Sequence, residues 1–287
     1  MSETTDPRSR WFVSTEWLEA HLADPSVTVI DASWYLPGEP RDPDAEYRDG
    51  HIPGAVRFNL DAVADTTTSL PHMLPTAADF GATVGAAGIG SADTIIVYDG
   101  AGLRAAPRVW WTFKVMGATD VRILDGGLPR WRAEGRPLAV GIERRAPRPF
   151  AARLDAAAVR SKGQVLATLA DGSARIVDAR PAGRFLGTQP EPRAGLRGGH
   201  MPGAANVPSG DLIAGDTLAA PELLAAAFAR GGVTVGAPVI TSCGSGVTAA
   251  VLWLALETLG HPPEKLALYD GSWTEWGGDP DTPIVTG

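Results

Sequence analysis

The two halves of this 287-residue chain carry the same landmarks in the same order. Val27-Thr28-Val29-Ile30-Asp31 returns as Ala174-Arg175-Ile176-Val177-Asp178. Gly50-His51-Ile52-Pro53-Gly54-Ala55 returns as Gly199-His200-Met201-Pro202-Gly203-Ala204. The apolar strand around Ile95–Tyr98 returns at 239–242, and Asp125-Gly126-Gly127 returns as Asp270-Gly271-Ser272. The spacings agree: 178 − 31 = 147, 200 − 51 = 149 and 270 − 125 = 145. Such self-similarity marks a duplicated structural unit. The short apolar runs read as buried parallel strands, and the segments between them are long enough for crossover helices. The expected fold class is α/β: two tandem domains, each a mainly parallel sheet flanked by helices. The expected boundaries are 1–145 and 146–287, with a Pro/Arg-rich linker over about 136–155.

Within the first half, strands are expected at 27–31, 94–98 and 121–124. Helices are expected at about 16–22, 76–88 and 107–116. The Pro-rich, charged stretch 34–48 reads as loop. In the second half the strand at 239–242 leads into Cys243-Gly244-Ser245-Gly246-Val247-Thr248, and an apolar helix over 249–259 stops at Gly260.

Cys243 is the only cysteine. It permits no internal disulfide, no Cys-x-x-Cys pair and no multi-cysteine zinc site. A lone cysteine is by default a small buried hydrophobe. Its position argues otherwise, because open α/β sheets hold their ligands where strands end and helices begin. A Gly-containing loop at a helix N-terminus turns backbone N–H groups inward, and this favours a thiolate. The repeat offers an internal control: at an offset of 144 residues Cys243 falls on Asp99, so nucleophilic chemistry is expected in the second half only.

A net charge of −8, with no block of Lys or Arg, argues against nucleic acid as a partner. The N-terminal residues lack a secretory apolar core, and no run of about 18 apolar residues suggests a membrane span. The expected setting is cytoplasmic, as a monomer. The five histidines show no metal-ligand spacing, so no metal and no cofactor are expected.

The tandem α/β halves, Gly50–Ala55 and the loop Cys-Gly-Ser-Gly-Val-Thr-Ala from Cys243 together resemble the two-domain rhodanese-like sulfurtransferases, over residues 11 to about 277. Within that family the loop is more similar to the 3-mercaptopyruvate type than to the thiosulfate type. The resemblance implies that a cysteine thiolate takes the donor's sulfur, releases pyruvate and becomes a persulfide. A thiol, thioredoxin or cyanide acceptor then takes the outer sulfur. Thiosulfate-preferring relatives place cations one and two residues after the cysteine, where this chain has neutral Gly244 and Ser245. The resemblance also implies Arg184 and Arg193 as carboxylate-binding arginines, which suits the guanidinium fork. It implies the loop residues Gly244, Ser245, Gly246, Val247 and Thr248 as the substrate cradle. Ser245, with His72 and Asp61 from the first half, is implied as a proton relay; a histidine can carry a proton near neutral pH. For His72 a simple loop contact, and for Asp61 a helix cap, are the competing readings.

Other assignments are weaker. A cysteine phosphatase needs an arginine six residues after the cysteine, where this chain has Ala249, and a longer loop. Thiosulfate:cyanide transfer and a non-catalytic binding module are the remaining alternatives. His51 and His200 occur in both halves and are expected to stabilise turns. Asp31 and Asp178 are expected to fix loops, and Trp131, Trp273 and Trp276 to pack.

Overall fold

Val27, Val29, Ile96 and Tyr98 are apolar at every second position, and they build one face of a parallel sheet whose strands are buried on both sides. In this computed structural model, which describes residues 6–287, the chain divides into two compact units. Unit 1 holds the described residues up to Val63 together with 75–155 and 215–218; unit 2 holds 64–74, 156–214 and 219–287.

Unit 1 contains strands β1 (Phe12–Val13), β2 (Val27–Asp31), β3 (Val56–Arg57), β4 (Thr94–Tyr98) and β5 (Asp120–Leu124). They form a five-stranded sheet in the order β1-β5-β4-β2-β3, parallel throughout. Its helices are α1 (Thr15–His21), α2 (Pro43–Asp49), α3 (Ala77–Ala86), α4 (Ala106–Val115) and α5 (Gly127–Ala133). The stretch 34–48 departs from the expected loop. Asp42 caps the amides of Asp44 and Ala45, and Pro43 occupies the first helical turn, so the Pro-rich signal marks a helix start.

Residues 136–155 pack as part of unit 1. Phe150 meets Phe80 and Phe113 edge-on at 5.6 and 5.8 Å, and Arg148 pairs with buried Asp93 at 2.7 Å. Gly81 and Gly85 on α3 permit this approach: a Cβ on either would lie 2.6 Å from a carbonyl of this segment.

Unit 2 contains β6 (Val159–Arg160), β7 (Arg175–Asp178), β8 (Ala205–Asn206), β11 (Val239–Ser242) and β12 (Leu266–Tyr269). Two-residue strands β9 (Ile213–Ala214) and β10 (Thr217–Leu218) intervene in the chain, the latter within unit 1. The unit 2 sheet runs β6-β12-β11-β7-β8, again parallel, so its order repeats that of unit 1 strand for strand. Helices α6 (Lys162–Asp171), α7 (Ala182–Phe185), α8 (Pro221–Arg230), α9 (Ala249–Thr258) and α10 (Ser272–Gly278) complete it. Trp273 and Trp276 lie in its core with Ile176, Ile240 and Tyr269, as Trp131 does in unit 1.

The paired histidines do the same work in both units. His51 Nδ1 lies 2.8 Å from the Tyr47 carbonyl and stacks on the Tyr47 ring. His200 Nδ1 lies 2.9 Å from the Phe185 carbonyl and stacks on Phe185. Asp31 and Asp178 end equivalent strands, and each accepts the amide two residues on at 2.8 Å. Burial pushes the Asp31 carboxyl up from its ordinary range, against the bonds from Ser33. Among the described residues no helix is long and apolar enough to cross a membrane, and no three His, Cys, Asp or Glu side chains gather as a metal site would.

Candidate active site

Cys243 follows β11, a strand flanked by β12 and β7, and only 2% of its surface is exposed. Its loop is held by the start of α10. The Cys243 carbonyl accepts from the Trp273 amide at 2.9 Å, and the Gly244 carbonyl accepts from the Thr274 amide at 2.8 Å. The Thr274 hydroxyl donates to the same Gly244 oxygen at 2.7 Å. In a trans peptide the N–H points opposite the C=O. Fixing these two carbonyls therefore turns the amides of Gly244 and Ser245 away from α10. The Cys243 amide donates to Ser272 Oγ at 3.2 Å, and that hydroxyl donates to the Tyr269 carbonyl at 2.8 Å. Gly246 takes φ +77°, in the left-handed region where a side chain is strained. The loop then enters the ten-residue helix α9, whose N-terminal dipole favours negative charge.

Unit 1 displays the same loop already filled. Gly102, 144 residues before Gly246, also has positive φ, at +94°. Asp99 stands where unit 2 has the cysteine. Its Oδ1 accepts the Ala101 amide at 2.8 Å. Its Oδ2 accepts those of Arg104, Ala105 and Ala106 at 2.8, 2.7 and 2.7 Å. The fold thus builds an anion cradle at this position, and in unit 1 a carboxylate of the chain itself occupies it.

Ser245 is buried, and its hydroxyl lies 3.1 Å from His72 Nδ1. The same nitrogen is 3.3 Å from the Ser245 carbonyl. His72 belongs to the 64–74 segment of unit 2, is buried, and has φ +63°. Asp61 belongs to unit 1, where it is exposed and its Oδ2 accepts from Trp34 Nε1 at 3.2 Å.

Arg184 reaches the loop from α7. A Cβ placed on Gly244 would stand 3.0 Å from Arg184 Nη2. The Arg184 guanidinium is aimed by Glu191, which accepts from both its Nε and Nη2. Glu191 also accepts from Arg180 Nη1 at 2.8 Å, and Arg180 binds Asp178 at 2.6 Å while covering the Trp273 ring at 4.0 Å. Burial works against the Arg180 charge, but Asp178 and Glu191 outweigh it and hold its pKa above the ordinary value. The four charges Asp178, Arg180, Glu191 and Arg184 sum to zero, so Arg180 and Arg184 bring no excess cation. Arg193 lies half-buried, two residues after Glu191.

The structure therefore brings Cys243, Gly244, Ser245, Gly246, His72 and Arg184 together within unit 2. Sequence reasoning missed Glu191, Arg180, Ser272 and Thr274 as supports. The repeated Asp-Gly landmark at 270 was the available signal for Ser272, because the loop after the last strand recurs in both halves.

A model of the rhodanese-like domain matches residues 14–134 and again 161–279. The chain belongs to the rhodanese-like sulfurtransferases. It is 44% identical over 275 residues to a 3-mercaptopyruvate sulfurtransferase of Escherichia coli, covering 96% of this chain and 97% of that relative. It is 42% identical over 275 residues to a thiosulfate sulfurtransferase of Rattus norvegicus, covering 93% and 92%. The solved structure of SseA from Escherichia coli, described as a 3-mercaptopyruvate sulfotransferase with the rhodanese fold, matches with a TM-score of 0.85 at 42% identity, over 92% of this chain and 98% of that one. Both units of this sulfurtransferase are accounted for by the match, and one of the two carries a cysteine.

Proposed function

We propose that this chain transfers the sulfur of 3-mercaptopyruvate through a persulfide on Cys243. Overall identity does not separate the donors, because the relatives of both kinds are similarly close. The observation that carries the choice is the contact between His72 and Ser245, two residues beyond the cysteine. Thiosulfate gives up sulfite with no proton to relocate. Mercaptopyruvate is a thiol, and its sulfur leaves a carbanion that must be protonated.

The Cys243 thiolate attacks the donor sulfur and the S–C bond breaks. Its electron pair passes to the carbon as the pyruvate enolate. The proton of the donor thiol is taken by the Ser245–His72 pair and returned to that carbon, giving pyruvate and Cys243 persulfide anion. The cradle of the 243–248 loop stabilises the anion before and after transfer, as its counterpart holds the Asp99 carboxylate in unit 1. Arg184, with Nη1 left over from its bonds to Glu191, binds the donor carboxylate. Arg193 is assigned to the same carboxylate on the family pattern. A thiol such as reduced thioredoxin, or cyanide, then attacks the outer sulfur and restores the thiolate.

A donor comparison tests this reading. With a dithiol or cyanide as acceptor, the expected kcat/KM for mercaptopyruvate exceeds that for thiosulfate by at least about tenfold. Equal use of both donors, or preference for thiosulfate, overturns the assignment of donor.

A further inference from the structure

We propose that Asp270 is a positioning residue for proton transfer: it anchors the backbone beside His72 and so fixes the imidazole against Ser245. The proposal rests on the reading of His72 and Ser245 as the relay.

His72 holds φ +63°, a left-handed conformation that is strained for a residue with a Cβ. Such a conformation persists only where its surroundings over-determine it. Two residues on, the Leu74 amide donates to Asp270 Oδ2 at 2.7 Å. Asp270 is 3% exposed, so little solvent competes for that bond. The short span between the anchor at Leu74 and the histidine leaves the imidazole little room to drift.

Asp270 is also tied to the nucleophile. It directly follows β12, and the residues after it hold the cysteine loop: Ser272 through the Cys243 amide, Trp273 through the Cys243 carbonyl, and Thr274 through the Gly244 carbonyl. Ser272 is itself left-handed, at φ +49°, and fully buried. Residues 270–274 thus act as one jig, with the relay histidine's segment clamped at one end and the nucleophile loop at the other.

Unit 1 repeats the anchor without the chemistry. Asp125, 145 residues before Asp270, accepts the hydroxyl of Thr217 and, at 2.8 Å, Arg130 Nη1. Thr217 is 145 residues after His72, and it lies in the 215–218 segment of unit 1. In each unit, then, the acid after the last strand binds a segment drawn from the other half of the sequence. Only in unit 2 does that segment present a histidine to a cysteine loop. The device is a feature of the duplicated fold that unit 2 turns to proton transfer.

The test is a double-mutant cycle with mercaptopyruvate as donor. H72A is expected to lower kcat about a hundredfold, the range of a lost acid–base group. D270A is expected to lower kcat at least about tenfold with KM little changed. D270N, whose Oδ1 still accepts the Leu74 amide, is expected to recover most of the rate. The double variant D270A/H72A is expected to match H72A within about twofold, because Asp270 acts through His72. Should D270A fail to fold, D270E serves in its place, since it keeps the charge but displaces the carboxylate by one methylene. Fully multiplying losses in the double variant, or a D270N as impaired as D270A, would overturn the positioning role and leave the relay intact. Wild-type turnover by H72A would overturn the relay reading itself.

Discussion

Gly244 is the residue at which donor charge and site geometry meet. A side chain there enters the space of Arg184, whose Nη2 would lie 3.0 Å from the new Cβ. G244R therefore does more than add a cation beside the cysteine, because it also displaces the arginine assigned to the donor carboxylate. The expected result is a KM for mercaptopyruvate raised about tenfold or more, with the thiosulfate-to-mercaptopyruvate ratio shifted toward thiosulfate; steady-state kinetics with both donors checks it. Ser245 supplies a hydroxyl 3.1 Å from His72 Nδ1. S245A is expected to lower kcat with mercaptopyruvate about a hundredfold, while Cys243 still reacts with a small alkylating agent at close to the wild-type rate. The cysteine, its glycines and the serine were legible in the sequence because their spacing is local. His72 came only from the family resemblance, since 173 residues separate it from Ser245 and no local pattern encodes that contact.

At the scale of elements, the α7 turn and the segment after it form the wall of the site. Glu191 bridges Arg180 and Arg184 with its side chain 1% exposed. E191Q leaves two guanidinium groups facing a neutral amide in a largely buried setting. Breaking a buried charge network in this way costs about 3–5 kcal/mol, which urea unfolding at neutral pH measures. The central strands were readable as apolar runs, and β4 and β11 fall where the residues predict. The helix α2 was hidden by its own N-terminal chemistry: Asp42 and Pro43 look like loop residues until the cap and the first turn are seen together. The short α7 was not readable either, because four residues carry no periodicity.

At the scale of the whole molecule, the duplication was plain in the sequence, from the matching Asp, His and Asp-Gly landmarks. The exchange of segments was not: 64–74 contributes to unit 2 and 215–218 to unit 1. These pieces lack a hydrophobic period, and polar contacts far apart in sequence, including those to Asp270 and Asp125, hold them. Stability should also depend on acidity through His261. Its Nδ1 accepts the Gly236 amide at 3.2 Å, so the folded state favours the neutral ring. Burial lowers its pKa, and this outweighs the bond to the Lys265 carbonyl. The unfolded chain therefore takes up the proton first, near pH 6.5. His261's contribution is complete above that pH and is lost as pH falls toward the lowered folded value. Urea unfolding across this range should show stability declining with acidity, and H261N should flatten the decline.

The central claim is that sulfur rests on Cys243 between donor and acceptor. The direct measurement is the mass of the Cys243 peptide after one equivalent of mercaptopyruvate is added with no acceptor, taken alongside the pyruvate released. The expected result is one added sulfur atom on Cys243 for each pyruvate formed, discharged when a thiol is supplied. Pyruvate released at the full rate with no sulfur on Cys243, or with the sulfur elsewhere in the chain, would contradict it.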